Sequence, residues 1–100
     1  MKIQIHSVHF DADVKLLDFV QAKIDKLETF YDRFTDGEVF LRLEKGEHSR
    51  ENKVVEIKLV IPGTILFAKE HDTSFEAATD QAVESLRRQI KKHKEKHQAH

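Results

Sequence analysis

The chain has 100 residues, with 17 Lys/Arg against 18 Asp/Glu and a formal net charge of −1, so it is long enough for one modest core and nearly neutral as a whole. Its 39% hydrophobic content, seven Phe and 35% charged content describe a soluble globular composition. The lack of Cys excludes a disulfide framework, thiolate chemistry and a Cys-based zinc site; no signal-peptide core follows MKIQIHS and no apolar run approaches the ~20 residues of a membrane span, so a cytoplasmic location is expected.

In chain order, KIQIHS alternates with Ile3 and Ile5 on one face and predicts a short strand. Asp11 or Asp13 can cap a helix, because a carboxylate there accepts from the free N–H groups of the first turn. Leu16, Leu17, Val20, Ile24 and Leu27 then recur at three- and four-residue spacing, giving that helix one apolar face. Phe30, Tyr31 and Phe34 are expected to wedge its end against the sheet, and Asp36-Gly37 reads as a turn.

In EVFLRLEK, Val39, Leu41 and Leu43 alternate with Glu38, Arg42 and Glu44. The charged loop GEHSREN leads to VVEIKLVI, where Val55, Ile57, Leu59 and Ile61 alternate with Glu56 and Lys58. Pro62-Gly63 then predicts a tight hairpin into TILFAKEH. Thr73 or Ser74 is placed to cap a last helix whose apolar face holds Phe75, Ala78, Ala82, Val83, Leu86 and Ile90. Asp72 and Glu76 lie near its positive end and Arg and Lys near its negative end, as the helix dipole favours.

The resulting order is β-α-β-β-β-α. A right-handed crossover would set strands 1 and 2 parallel, and strands 2, 3 and 4 would form an antiparallel meander. With both helices on one face, the prediction is a two-layer α/β sandwich with a four-stranded mixed sheet. No repeat or linker interrupts residues 1–100, which read as a single domain.

Charge is segregated along this chain. Residues 87–100 carry six basic side chains and one acidic, a net +5, whereas the preceding 86 residues carry 11 basic and 17 acidic, a net −6. Such asymmetry suits either a solvated C-terminal helix or a surface that holds a polyanion. A helix over residues 74–96 would be about 35 Å long. Its last apolar residue is Ile90, so its final turns are expected to have no core beneath them.

Other chemistries find little support. His93 and His97 stand at i, i+4, but the sequence offers no third ligand, and HKEKH lacks the Glu that directly follows the first His in metalloprotease helices. His6, His9, His48 and His71 have no ligand spacing, and no metal or cofactor is expected. The only glycines, Gly37, Gly46 and Gly63, form no phosphate cradle, and no Ser motif sits on a strand-to-helix elbow, so an enzyme is not expected.

Binding fits better. Arg87, Lys91 and Lys94 share one helical stripe; Arg88, Lys92 and Lys96 share the next. A rod of cations can follow a phosphate backbone and release its condensed counterions. Such charge-rich, aromatic-poor surfaces suit RNA helices, which are recognised through backbone shape. Phe10 and Phe40 are the candidates for base stacking, though local packing accounts for both. On the first helix Lys23 and Lys26 share a face, interleaved with Asp18, Asp25 and Glu28.

The stretches FVQAKIDKLETFYDR and FEAATDQAVESLRRQIKKHKEKHQAH resemble the ribosome hibernation-promoting factor family, also called the ribosome-associated inhibitor or S30EA-type family. Its first helix reads like F-V-x-x-K-x-x-K-L, matched by Phe19, Val20, Lys23, Lys26 and Leu27. Its second reads like A-x-D-x-x-x-x-x-L-x-R-Q-h-x-K-x-K, with h apolar, matched by Ala78, Asp80, Leu86, Arg88, Gln89, Ile90, Lys92 and Lys94. The resemblance spans essentially the whole chain.

It implies a non-catalytic protein, monomeric off the ribosome, that binds the small ribosomal subunit near the A and P sites. There it would block mRNA and tRNA and preserve idle ribosomes during stationary phase or stress. By position, Lys23, Lys26, Arg33, Arg87, Arg88, Lys91, Lys92, Lys94 and Lys96 would contact rRNA. The chain resembles the short form of the family, which lacks the C-terminal ribosome-pairing domain of the long form and in some bacteria works with a separate modulation factor. The acidic side chains of residues 1–86 are expected to face away from rRNA and to orient the approach electrostatically.

The alternative is a generic double-stranded-RNA-binding module of similar layout. Those modules place their basic cluster at the start of the last helix, whereas here the start is the acidic DTSFEAATD. A protein-only adaptor working through an acidic sheet face would leave the basic helix without a role.

Overall fold

The structure, a computed structural model, describes residues 1–44 and 50–98, with side chains described through Lys96. Gly46 and His48 of the charged loop, and His100, lie outside the described residues. The elements are β1 (Gln4–Val8), α1 (Val14–Phe30), β2 (Asp36–Leu43), β3 (Lys53–Ile61), β4 (Thr64–Asp72) and α2 (Phe75–Gln98), in the order the periodicity predicts.

The sheet order is β1-β2-β3-β4, with β1 parallel to β2 and the other two pairings antiparallel. Register aligns the inward side chains in rows. Ile5 stands opposite Val39, Val39 opposite Ile57, and Ile57 opposite Ala68. Because side chains alternate across a strand, this register puts Ile5, Val39, Leu41, Val55, Ile57, Leu59, Leu66 and Ala68 on the face that the helices cover. Leu16, Val20, Ile24 and Leu27 of α1 join Phe75, Ala78, Ala82, Leu86 and Ile90 of α2 in that one core.

Each helix starts on a side-chain cap. Asp13 Oδ1 accepts from the Leu16 N–H at 2.8 Å, and Ser74 Oγ accepts from the Ala77 N–H at 3.1 Å. Asp72 accepts from the Thr73 N–H at 2.6 Å and also from Gln81. That backbone bond, reinforced by the side chains of Thr73 and Gln81, holds the Asp72 carboxyl below its ordinary pKa.

Asp36-Gly37 is not a turn; both residues belong to β2, with Gly37 opposite Leu59. The reason for a glycine here is space. A Cβ at Gly37 would lie 2.7 Å from Ile3 Cγ2 and 3.1 Å from Leu59 Cδ2. The predicted hairpin at Pro62-Gly63 does form, with Ile61 paired to Thr64 and Gly63 at φ +85°. Proline fixes the first φ near −65° and glycine supplies the positive second one, the signs a type II turn needs.

Phe10, considered above for base stacking, instead lies parallel to Phe75 at 4.9 Å against the core. His9, at φ 67°, makes the turn that brings it there. Phe40 stacks on His6 at 4.8 Å on the outer sheet face, where His6 Nε2 is 2.9 Å from Glu38 Oε2. That face is a mosaic of both charges: Glu56 meets Arg42 at 3.0 Å and Lys69 at 3.8 Å.

At the β4 edge, Gln89 of α2 makes a strand-like contact. Its Nε2 donates to Phe67 O at 2.8 Å and its Oε1 accepts from the Phe67 N–H at 3.4 Å. One side-chain amide thus satisfies both edge groups of one strand residue.

Candidate nucleic-acid interface

Element order dictates where the charge gathers. Each helix runs opposite to the strand before it, and β1 and β4 point the same way through the parallel and antiparallel pairings. The two helices therefore run parallel, and side contacts advance in the same direction along both: Lys23 meets Asp80, and Phe30 meets Lys94. Both C-termini emerge at one end. Their aligned carbonyls make that end electronegative, and cations are favoured there.

Seven of the nine predicted cations line the groove between the helices or the cleft at its end. Lys23 and Lys26 of α1 face Arg87 of α2 across the groove, with Leu27, Phe30 and Val83 as its apolar floor. Arg33 and Lys94 line the adjoining cleft at the helix ends, with Tyr31, Asp32 and His93. Lys91 stands with Arg87 and Arg88 around the edge of Phe30. Lys92 and Lys96 are exposed and continue the stripe of Arg88 at four-residue steps, so they stand beside the groove rather than in it.

Lys23, Arg87 and Lys94 are held by aromatic rings or across the two helices. Lys23 Nζ is 3.1 Å from Asp80 Oδ1 and 5.2 Å from the Phe19 ring centre. Arg87 Cζ lies over the Phe30 ring at 5.2 Å. Lys94, half-buried, places Nζ 4.5 Å from the centre of that ring and donates to Phe30 O at 3.3 Å. The last bond caps α1 from outside, since its own last turn contains no basic residue.

The end of α2 is better supported than its last apolar residue implies. Beyond Ile90, Lys94 packs on Phe30, and His93 meets Tyr31 edge-on at 6.2 Å between ring centres. Phe30 and Tyr31 thus form a platform under the basic helix as well as packing against the core, and Phe34 meets Tyr31 edge-on at 5.4 Å.

The expectation that acidic residues face away from this surface fails. Asp80 and Glu84 line the same groove as Lys23, Lys26 and Arg87. Glu84 also approaches Arg88 at 3.9 Å, an exposed i, i+4 pair worth well under 1 kcal/mol. The helix face turned to α1 is set by inter-helix packing, which charge counts along a chain do not register. No group of three or more His, Asp or Glu able to hold a metal occurs among the described residues. No helix among them is long and apolar enough to cross a membrane.

Sequence reasoning missed Phe30 as the hub of this surface. Its neighbours Arg87 and Lys94 are far away in the chain, so no local spacing announces them. The parallel course of the helices, however, follows from the element order and would have placed residue 30 beside the end of α2.

A four-stranded mixed sheet in β-α-β-β-β-α order with two helices on one face is the S30AE-type ribosomal interface protein fold. A solved ribosomal subunit interface protein from Coxiella burnetii superposes with a TM-score of 0.83 at 18% identity, over 94% of this chain and 98% of that one, which is a likeness of fold. Residues 3–98 match the model of the family described as Sigma 54 modulation protein / S30EA ribosomal protein, and the chain belongs to that family. The ribosome hibernation promoting factor of Pseudomonas putida is 33% identical over 99 residues, covering 99% of this chain and 92% of that protein. Its namesake from Escherichia coli K12 is 31% identical over 100 residues, covering 100% of both.

Proposed function

We propose that this chain is a ribosome hibernation factor. It docks its cationic helix end on rRNA of the small subunit in the channel for mRNA and tRNA, and so inhibits translation and preserves idle ribosomes in stationary phase or stress. The observation that carries this reading is the meeting of Lys23, Lys26 and Arg87 in one groove, with Arg33, Arg88, Lys91 and Lys94 around its end. Membership of the S30EA family and relatives named ribosome hibernation promoting factor support the ribosomal partner.

The mechanism is occupancy. Two helices hold the backbone positions of these cations at fixed spacing, so no backbone entropy is lost when phosphates are met. Each phosphate neutralised releases counterions and strengthens binding at low salt. The platform of Phe30 and Tyr31 keeps the last turns of α2 ordered enough to present charge where an unsupported helix end would fray.

Co-sedimentation with isolated small subunits over a salt series tests this. The affinity of the wild-type protein should fall with salt with a log–log slope of roughly 0.7–0.9 per phosphate contact. Arg88→Glu/Lys92→Glu should bind at least tenfold more weakly at low salt, with a shallower slope. Bound protein should compete with mRNA and with tRNA anticodon stems. Unchanged binding by the double variant overturns the assignment of the surface. Equal affinity for free double-stranded RNA and for small subunits favours a generic RNA-binding module instead.

A further inference from the structure

We propose that Phe30 is the positioning residue of this interface, holding Arg87 and Lys94 in register for phosphate oxygens rather than stacking on a base. The inference rests on the ribosomal reading above and adds how the surface recognises RNA: through the phosphate backbone, with the aromatic residue serving the cations.

Three observations converge on this ring. Arg87 Cζ and Lys94 Nζ both lie over it, at 5.2 and 4.5 Å from its centre. The Phe30 carbonyl, at the last residue of α1, accepts from Lys94 Nζ at 3.3 Å. The groove, the helix-end cleft and the surface beside Lys91 all share Phe30 as a wall. An aromatic face attracts cations through its quadrupole, so the ring gives each long, flexible side chain a preferred resting place. With two cations already over it, the π-surface is engaged before any RNA arrives. A stacking platform needs the opposite, an open face that a base can cover.

The bond to the carbonyl adds a second restraint. Lys94 has four rotatable stem bonds, and its ammonium is anchored by both the ring and the helix end. Two of the three ammonium protons remain for phosphate oxygens. Arg87, held by the ring alone, keeps its full guanidinium fork for bidentate contact.

The test combines a ribosome-free readout with binding. In the free wild-type protein, the ε-methylene protons of Lys94 and the δ-methylene protons of Arg87 should resonate upfield of random-coil values through the ring current. Both shifts should vanish in Phe30→Leu and persist in Phe30→Tyr. Unshifted protons in the wild type overturn the inference without any variant. In co-sedimentation with small subunits, Phe30→Leu should bind about five- to tenfold more weakly with a shallower salt slope, and Phe30→Tyr should restore both.

Lys94→Gln should weaken the wild type more than it weakens Phe30→Leu, because the ring acts through that lysine. Additive losses in this cycle would mean that the ring contacts RNA itself, and would overturn the inference. Wild type that fails to sediment with small subunits removes the ribosomal reading. Wild type that binds while Phe30→Leu matches it in affinity and slope removes this inference alone.

Discussion

Gly37 is crowded on three sides: a Cβ there would approach Ile3, Leu59 and the sulfur of Met1 at 2.7, 3.1 and 3.2 Å. Ile3 is buried in the core, and Leu59 is a fully buried strand residue, so neither is free to withdraw. Gly37→Ala should therefore destabilise the fold by about 1–3 kcal/mol, seen as a lower urea midpoint at unchanged slope. An unchanged midpoint would mean that β1 yields without cost. The dipeptide Asp36-Gly37 looks like a turn because turn statistics are local, whereas the crowding comes from residues remote in sequence. Phe30 escapes a sequence reading for the same reason. Lys94 shows the converse: its place in the basic stripe is plain from spacing, but its bond to a carbonyl of the other helix is not.

Strands and helices fall where their periodicities put them, and their caps are among the residues expected from the sequence: Asp13 for α1 and Ser74 for α2. Hydrophobic alternation and three-four spacing are strong signals when one face is buried, and here each element has one buried face. What joins elements is harder to read. Gln89 lies in the basic motif of the last helix, yet its amide is committed to the backbone of Phe67 on β4. Gln89→Ala should cost about 1 kcal/mol, the net value of a hydrogen-bonding group lost. It should also leave the Phe67 N–H and C=O unpaired at the β4 edge, raising concentration-dependent self-association in sedimentation velocity. A variant that stays monodisperse and as stable as the wild type would show the clamp to be dispensable. Its RNA affinity is a separate readout, since Gln89 bears no charge.

The molecule as a whole measures 50 × 26 × 18 Å, with cations gathered around one helix end and both charges mixed over the outer sheet face. Screening by salt reduces the influence of exposed charges beyond about 8 Å at physiological ionic strength, and the outer-face lysines stand on the opposite side of the sheet from the helices. Lys58→Glu/Lys69→Glu, on the outer face, should change small-subunit affinity less than about twofold at 0.15 M salt, although it alters net charge as much as Arg88→Glu/Lys92→Glu. A comparable loss for both pairs would point to net charge rather than a defined surface. The +5 end was readable from the sequence as a block, because consecutive residues of one helix stay together. The places of Asp80 and Glu84 were not, because they depend on how α2 is turned about its axis. That turn is set by the buried face of Ala78, Ala82, Leu86 and Ile90, and the amide of Gln89 adds an outer stop to it. Successive residues of a helix point about 100° apart, so a contact from residue 89 to a strand edge adds a restraint on the azimuth of every neighbour. For Arg88 and Lys92 to swing toward the sheet, or Arg87 and Lys94 away from Phe30, that bond would have to break and the apolar face would have to leave the core. A device that seals a strand edge thereby works as a keyway, locking the angular phase of the cationic rod to the sheet.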